Sequence, residues 1–66
     1  MLSPSKKLLE IIKTYKSMAA FARAIGVHRT MVTRAVRGET GFNSKMIRNT
    51  RRLTRMDDLE LFVWVE

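Results

Sequence analysis

Apolar residues recur every three or four positions along most of this chain, which is the spacing of one face of an α-helix. The first such stripe consists of Leu8, Leu9, Ile11, Ile12 and Tyr15. It predicts a helix over about residues 4–15, with Ser3 as its cap and Pro4 as its first residue, because proline fits the first helical position. Three further stripes predict helices over about 18–25, from His28 or Arg29 to Gly38, and over about 44–55.

Short polar residues and glycine separate the predicted helices. Ser17 and Asn43 stand before the second and fourth helices, and both are residue types that cap helix N-termini. Gly26 ends the second helix, since glycine readily adopts the left-handed conformation that often follows a helix. Phe42 precedes the Asn43 cap and can pack on Ile47 as a hydrophobic staple.

The end of the chain has a different pattern. Residues 59–65 are rich in β-branched and aromatic side chains, so we predict a strand there rather than a last helical turn. The predicted fold class is therefore mainly α: a single domain over 1–66 with about four helices and a C-terminal strand, an α+β arrangement.

Both faces of this predicted strand are apolar at its centre, so its own core can cover only one of them. We expect the other face and the strand edge to be covered by antiparallel pairing with the same strand of a second copy. The alternative is pairing within the monomer, against a segment interpreted here as loop or helix. The residues predicted to form the dimer contact are Leu61, Phe62, Val63, Trp64 and Val65.

Composition excludes several kinds of site. The chain of 66 residues has no cysteine and a single histidine, so we expect neither a disulfide nor a bound metal. No paired carboxylates, nucleophile–base constellation or glycine-rich phosphate loop is present, so we expect neither an enzyme nor a cofactor. No run of 18 apolar residues occurs, so we expect no membrane segment. The lack of cysteine fits a cytoplasmic protein, and with one small domain we expect no small-molecule ligand.

Charge is distributed unevenly along the chain. Residues 1–56 contain all 13 lysines and arginines with only Glu10 and Glu39, whereas residues 57–66 contain four acids and no basic residue. A strongly basic body followed by an acidic end indicates a polyanionic partner for the body.

The spacing of small residues within 18–38 predicts a helix-turn-helix. Two helices that cross steeply need small residues at the crossing and a tight turn. Ala22, Gly26, Val27 and Val32 meet these needs together. The alternative is an ordinary helical hairpin in which the alanine and the glycine are accidental.

The predicted third helix has an outward face without acidic residues. Arginine can bond bidentately to a guanine edge, and threonine can bond to a base or touch a thymine methyl group. Phosphate contact is the alternative role for the arginines. The outward residues are His28, Arg29, Thr30, Thr33, Arg34 and Arg37.

The segment 18–38 resembles the helix-turn-helix of phage Cro and CI-type repressors. The resemblance covers about 21 residues and implies that the third helix enters the major groove. Carried over onto this sequence, the residues that contact DNA there are His28, Arg29, Thr30, Thr33 and Arg34. Two positions depart from the family pattern, which often has glutamine where this chain has Met18 and Arg29. Met18 lacks the amide group with which the glutamine of the family supports a phosphate contact. Arg29, at the second position, is expected to shift base preference toward guanine.

Further contacts are expected at helix starts, where backbone amides and the helix dipole favour a phosphate. Asn43 and Lys45 lie at the start of the fourth helix, and Ser17 at the start of the second is included in the same predicted DNA-binding set. The later arginines of the fourth helix have two explanations, a second phosphate-binding face or a solvated surface. They are Arg48, Arg51, Arg52 and Arg55.

These patterns favour a sequence-specific regulator that binds double-stranded operator DNA as a homodimer and represses by steric blocking. The dimer would contact two half-sites one helical turn apart, ~34 Å. The alternatives are a DNA-bending recombination accessory, an RNA-binding protein that uses the arginine-rich stretch, and a small antitoxin-type module whose apolar end binds another protein.

Overall fold

The computed structural model of this protein describes residues 1–65, which form five helices and one two-stranded antiparallel sheet. None of these helices combines the length and the apolar character needed to cross a membrane. In chain order the elements are β1 (Leu2–Pro4), α1 (Lys6–Lys13), α2 (Met18–Ala24), α3 (Arg29–Val36), α4 (Ser44–Thr54), α5 (Asp58–Leu61) and β2 (Phe62–Trp64).

The N-terminus differs from the sequence prediction. Ser3 and Pro4 belong to β1 and do not start a helix. The cap of α1 is Ser5, whose hydroxyl oxygen accepts a hydrogen bond from the Leu8 amide at 3.1 Å. The same hydroxyl donates to the Glu60 carbonyl at 2.7 Å, so a hydrogen bond joins the start of α1 to residue 60, near the other end of the chain. Proline is tolerated at strand edges as well as at helix starts, and pairing with β2 favours the strand here.

The predicted strand over 59–65 is shorter than expected. Residues 58–61 form the helical turn α5, and only 62–64 are in β2. β2 pairs with β1 in the same chain, with Leu2 opposite Trp64 and Pro4 opposite Phe62. The strand therefore uses one of its edges for pairing within the monomer, which was the alternative considered above.

Two of the five predicted dimer residues are part of the monomer core. Leu61 has no exposed surface and Phe62 is 5% exposed. The Phe62 ring lies 4.9 Å, centroid to centroid, from the ring of Phe42. Leu61 and Phe62 are thus corrected from dimer contacts to core residues, because α5 turns the chain so that both side chains face inward.

The core lies between the helices and under the sheet. Phe21 and Ala22 of α2 meet Val32 and Ala35 of α3, and all four are buried. This burial explains the small residues of the 18–38 segment, since alanine allows the two helices to approach closely. The remaining fully or nearly fully buried apolar residues are Leu8, Ile12, Ile25, Phe42, Met46, Leu61 and Phe62.

The central helices begin where the sequence predicts them to begin. Ser17 caps α2 by accepting from the Ala20 amide at 3.1 Å, and Asn43 caps α4 by accepting from the Met46 amide at 2.9 Å. Both signals are local, because a capping side chain satisfies amides only two or three residues further along.

Candidate nucleic-acid interface

The turn between α2 and α3 is fixed by backbone hydrogen bonds. Gly26 adopts a positive φ of 73°, which a glycine tolerates at no steric cost. Its amide donates to the Arg23 carbonyl at 3.1 Å, and the next amide, of Val27, donates to the Ala22 carbonyl at 2.9 Å. These bonds satisfy the last carbonyls of α2 and direct the chain into α3.

Asn49 of α4, which is not among the site residues predicted from the sequence, contacts this turn. Its side-chain amide Nδ2 donates to the Ile25 carbonyl at 2.9 Å. A Cβ placed on Gly26 would lie 3.8 Å from the same nitrogen. The contact joins residues 24 positions apart, so no local pattern indicates it.

His28 begins α3. Its ring nitrogen Nδ1 accepts a hydrogen bond from the Thr30 amide at 3.2 Å. An accepting Nδ1 carries no proton, so in this arrangement the proton is on Nε2, which can donate to an acceptor. The residue predicted to open the recognition helix is therefore its N-cap, exposed to solvent and equipped with one donor.

The rest of α3 has one buried side and one exposed side. Val32 and Ala35 are fully buried, whereas the side chains on the opposite side are exposed. None of these exposed residues is acidic. They are Arg29, Thr30, Met31, Arg34 and Arg37.

Thr33 lies between the two sides and is half-buried. Its hydroxyl donates to the Arg29 carbonyl at 3.1 Å, one turn earlier in the helix. The hydroxyl hydrogen is therefore engaged. Thr33 can offer a partner its hydroxyl lone pair or its methyl group, but not a donor in this conformation.

The arginines of α3 differ in their surroundings. Arg37 Nη1 lies 3.9 Å from Glu39 Oε2, an ion pair between two exposed side chains that contributes little stability. Within residues 1–65 neither Arg29 nor Arg34 has a carboxylate oxygen within 4.0 Å. No carboxylate of the described residues therefore neutralises their positive charges in an ion pair.

Ser17, Asn43 and Lys45 are all exposed. The oxygens of Ser17 and Asn43 accept the capping bonds described above, so each retains a donor, the Ser17 hydroxyl hydrogen and the Asn43 amide group. Lys45 lies in the first turn of α4 and has an ammonium group without an ion pair in the described part of the chain. All three can donate to an anion.

Comparison with models of protein families, with curated proteins and with solved structures finds no match to this chain.

Proposed function

We propose that this protein is a sequence-specific, double-stranded DNA-binding transcriptional regulator of the Cro-like helix-turn-helix kind, and not an enzyme. In this proposal α3 is the recognition helix and α2 braces it. The observation that carries it is the exposed, acid-free side of α3, held opposite the buried Val32 and Ala35. A helix held in this way can enter a major groove, which accommodates one α-helix.

Each arginine and threonine of α3 and of its C-cap has a role that suits its chemistry. Arg29 and Arg34 are assigned to base edges, where a guanidinium bonds bidentately to the N7 and O6 atoms of guanine. Thr30 and Thr33 are assigned to a base or a thymine methyl group, Thr33 through its methyl because its hydroxyl proton is engaged. Arg37 is assigned to a phosphate.

The remaining residues are assigned to the DNA backbone. His28 can donate from Nε2, while Ser17, Asn43 and Lys45 can donate from two helix starts, where the partial charges of the exposed amides also favour a phosphate. Contacts of this kind fix the orientation of the protein on the duplex and carry no sequence information.

We further propose that the regulator acts as a homodimer, through the second edge of β2. Ser5 donates to the Leu61 carbonyl and Val65 donates to the Met1 carbonyl, each at 2.8 Å. Alternate residues of a strand direct their backbone groups to opposite edges, so those of Trp64 face away from β1. The Trp64 side chain is 69% exposed, and Val63 and Val65 are exposed beside it. An apolar strand edge of this kind favours pairing with another strand.

A dimer supplies affinity that one module lacks. A single module of this size buries ~600–1,000 Å² on DNA, less than most specific complexes. Two copies would contact two half-sites of a palindromic operator, and the bound dimer would repress by blocking polymerase sterically.

The test is a selection of bound sequences from a random duplex pool, followed by binding measurements with Arg29→Ala. We expect a palindromic site, and we expect Arg29→Ala to weaken binding to that site by ~1–3 kcal/mol while relaxing preference at one base pair. Lys6→Ala, which removes one exposed charge from α1, is the control. If Arg29→Ala weakens binding to selected and shuffled duplexes equally, Arg29 contacts only phosphate and its role in sequence recognition is wrong.

A further inference from the structure

α4 has four arginines on its exposed side that the proposed recognition helix does not use. We call Arg48, Arg51, Arg52 and Arg55 the arginine surface. All four are exposed, whereas Met46 and Thr50, on the other side of the same helix, are buried. The arginine surface lines an open groove of about 460 Å³ together with Met56 and Asp57.

The positive charge of this groove is barely neutralised. The ion pairs found in residues 1–65 join Lys7 to Glu60 and Arg37 to Glu39, so neither includes the arginine surface. Asp57 is the only acid among the lining residues. Interactions with the side chain and the backbone amide of Asp58 hold the pKa of Asp57 below its ordinary value, and the charge of Arg51 lowers it further. One carboxylate therefore faces four guanidinium groups.

Arg55 occupies a backbone position that arginine rarely adopts. It ends α4 with φ 58° and ψ 28°, in the left-handed region, and its amide donates to the Arg51 carbonyl at 2.7 Å. Glycine or asparagine is the usual residue at such helix ends because either avoids most of the strain. The chain instead has there a fourth guanidinium in the same groove.

The choice of arginine is itself informative. The exposed cations of α1 and its C-terminal flank are all lysines, Lys6, Lys7, Lys13 and Lys16, whereas the four cations that line the groove are all arginines. A guanidinium presents planar, paired donors that match the oxygens of a phosphate or carboxylate, while an ammonium acts as a point charge. A surface that served only solubility would not require this distinction.

We propose that the arginine surface is a second nucleic-acid contact, which binds the phosphates of a duplex DNA segment other than the one held by α3. None of the residues that line the groove belongs to α2, to α3 or to the turn between them, and this supports a separate segment. The choice of DNA as the ligand rests on the proposed function, whereas the preference for phosphate rests on the groove.

The first experiment compares two triple variants that lose the same charge. R48Q/R51Q/R52Q alters the arginine surface, and K6Q/K13Q/K16Q alters exposed lysines elsewhere. Both keep their caps and core, which circular dichroism checks. We expect the arginine variant to bind a duplex of random sequence at least about tenfold more weakly at low salt, and the slope of log K against log[salt] to become shallower by roughly two to three. Equal effects of the two variants would overturn the proposal, since net charge alone would then explain the binding.

A second experiment tests whether two duplexes are held at once. Protein is loaded onto an immobilised duplex and a labelled second duplex is added. Wild-type protein and the lysine variant should capture the labelled duplex, and the arginine variant should occupy the first duplex without capturing the second. Capture by the arginine variant at the wild-type level would contradict the proposal, because the two recognition helices of a dimer would then be sufficient.

Failure of this proposal is distinguishable from failure of the proposed function. R29A/R34A removes the assigned base contacts and leaves the arginine surface intact. In that background we expect binding to random duplex to persist, and to weaken by at least about tenfold more when R48Q/R51Q/R52Q is added. Asp57→Asn removes the only acid among the residues that line the groove and keeps the size of the side chain, and it should strengthen binding severalfold. If polyglutamate of equal charge displaces the duplex at equal concentration, the surface prefers an acidic protein segment and the phosphate assignment is wrong.

Discussion

The side chain of Asn49 donates a 2.9 Å hydrogen bond to the backbone carbonyl of Ile25, directly before the glycine that separates α2 from α3. This bond couples the fourth helix to the turn that sets the direction of the proposed recognition helix. Asn49 is half-buried, so both partners depend on the bond to satisfy polar groups that have limited access to water.

Removing this bond should destabilise the domain. We expect Asn49→Ala to lower the free energy of unfolding by about 1–2 kcal/mol, because the Ile25 carbonyl loses its donor. Asn49→Asp should cost more, since a carboxylate cannot donate and would face the carbonyl oxygen. Urea unfolding measures both, with Arg48→Ala, exposed and one residue earlier, as the control. Equal unfolding midpoints for Asn49→Ala and Arg48→Ala would show that the bond contributes nothing.

Gly26 should be required for its backbone conformation and not for space. A Cβ there would make only an ordinary contact, 3.8 Å from Asn49, so the cost of Gly26→Ala is the positive φ of 73°. We expect a loss of about 1 kcal/mol in thermal unfolding, and a smaller loss for Gly26→Asn, since asparagine tolerates the left-handed region. An Asn variant as unstable as the Ala variant would contradict this explanation.

Gly41 should be required for the opposite reason. It has no positive φ, but a Cβ there would lie 2.7 Å from Met1 Cγ and 3.3 Å from the backbone nitrogen and oxygen of Leu2. The neighbouring Phe42 amide also donates to the Leu2 carbonyl at 3.0 Å. Gly41→Ala should therefore displace β1, with a loss of about 1–3 kcal/mol from overpacking. Chemical shifts of Leu2 and Ser3 check the displacement, and shifts unchanged from those of the wild type would rule it out.

The two aromatic residues of β2 should behave differently. Phe62→Ala removes a ring buried against Phe42 and should cost about 3–4 kcal/mol, enough to unfold much of this small domain. Trp64→Ser alters an exposed side chain and should leave monomer stability within about 0.5 kcal/mol while weakening the proposed dimer. Sedimentation of the two variants and of wild type separates folding from association. A wild-type protein that is monomeric at tens of micromolar without DNA would contradict a preformed dimer.

Sequence alone predicts the central helices well because their signals are local. Ser17, Gly26 and Asn43 each act within a few residues, as caps or as a left-handed turn. The same holds for the buried and exposed sides of α3, which follow from helical periodicity. Apart from Met31, the exposed residues of α3 are therefore those that the sequence predicts to face outward.

The two ends of the chain required information that local patterns do not contain. Pro4 is compatible with a helix start and with a strand, and only its pairing with Phe62 distinguishes them. The strand-forming residues around Leu61 and Phe62 predict a strand that contacts a second copy. In the structure the helical turn α5 precedes Phe62, and both side chains are buried. Asn49 was missed for a similar reason, since its partner is 24 residues away.

In the proposed function, the exposed side of α3 contacts the bases of duplex DNA. The most direct test is a titration of labelled protein with a selected duplex and with a shuffled duplex of the same composition, followed by nuclear magnetic resonance of backbone and arginine side-chain groups. We predict that the changes specific to the selected duplex are confined to residues 28–37 and include the guanidinium groups of Arg29 and Arg34. Identical changes with both duplexes, or specific changes confined to residues outside α2 and α3, would contradict the claim.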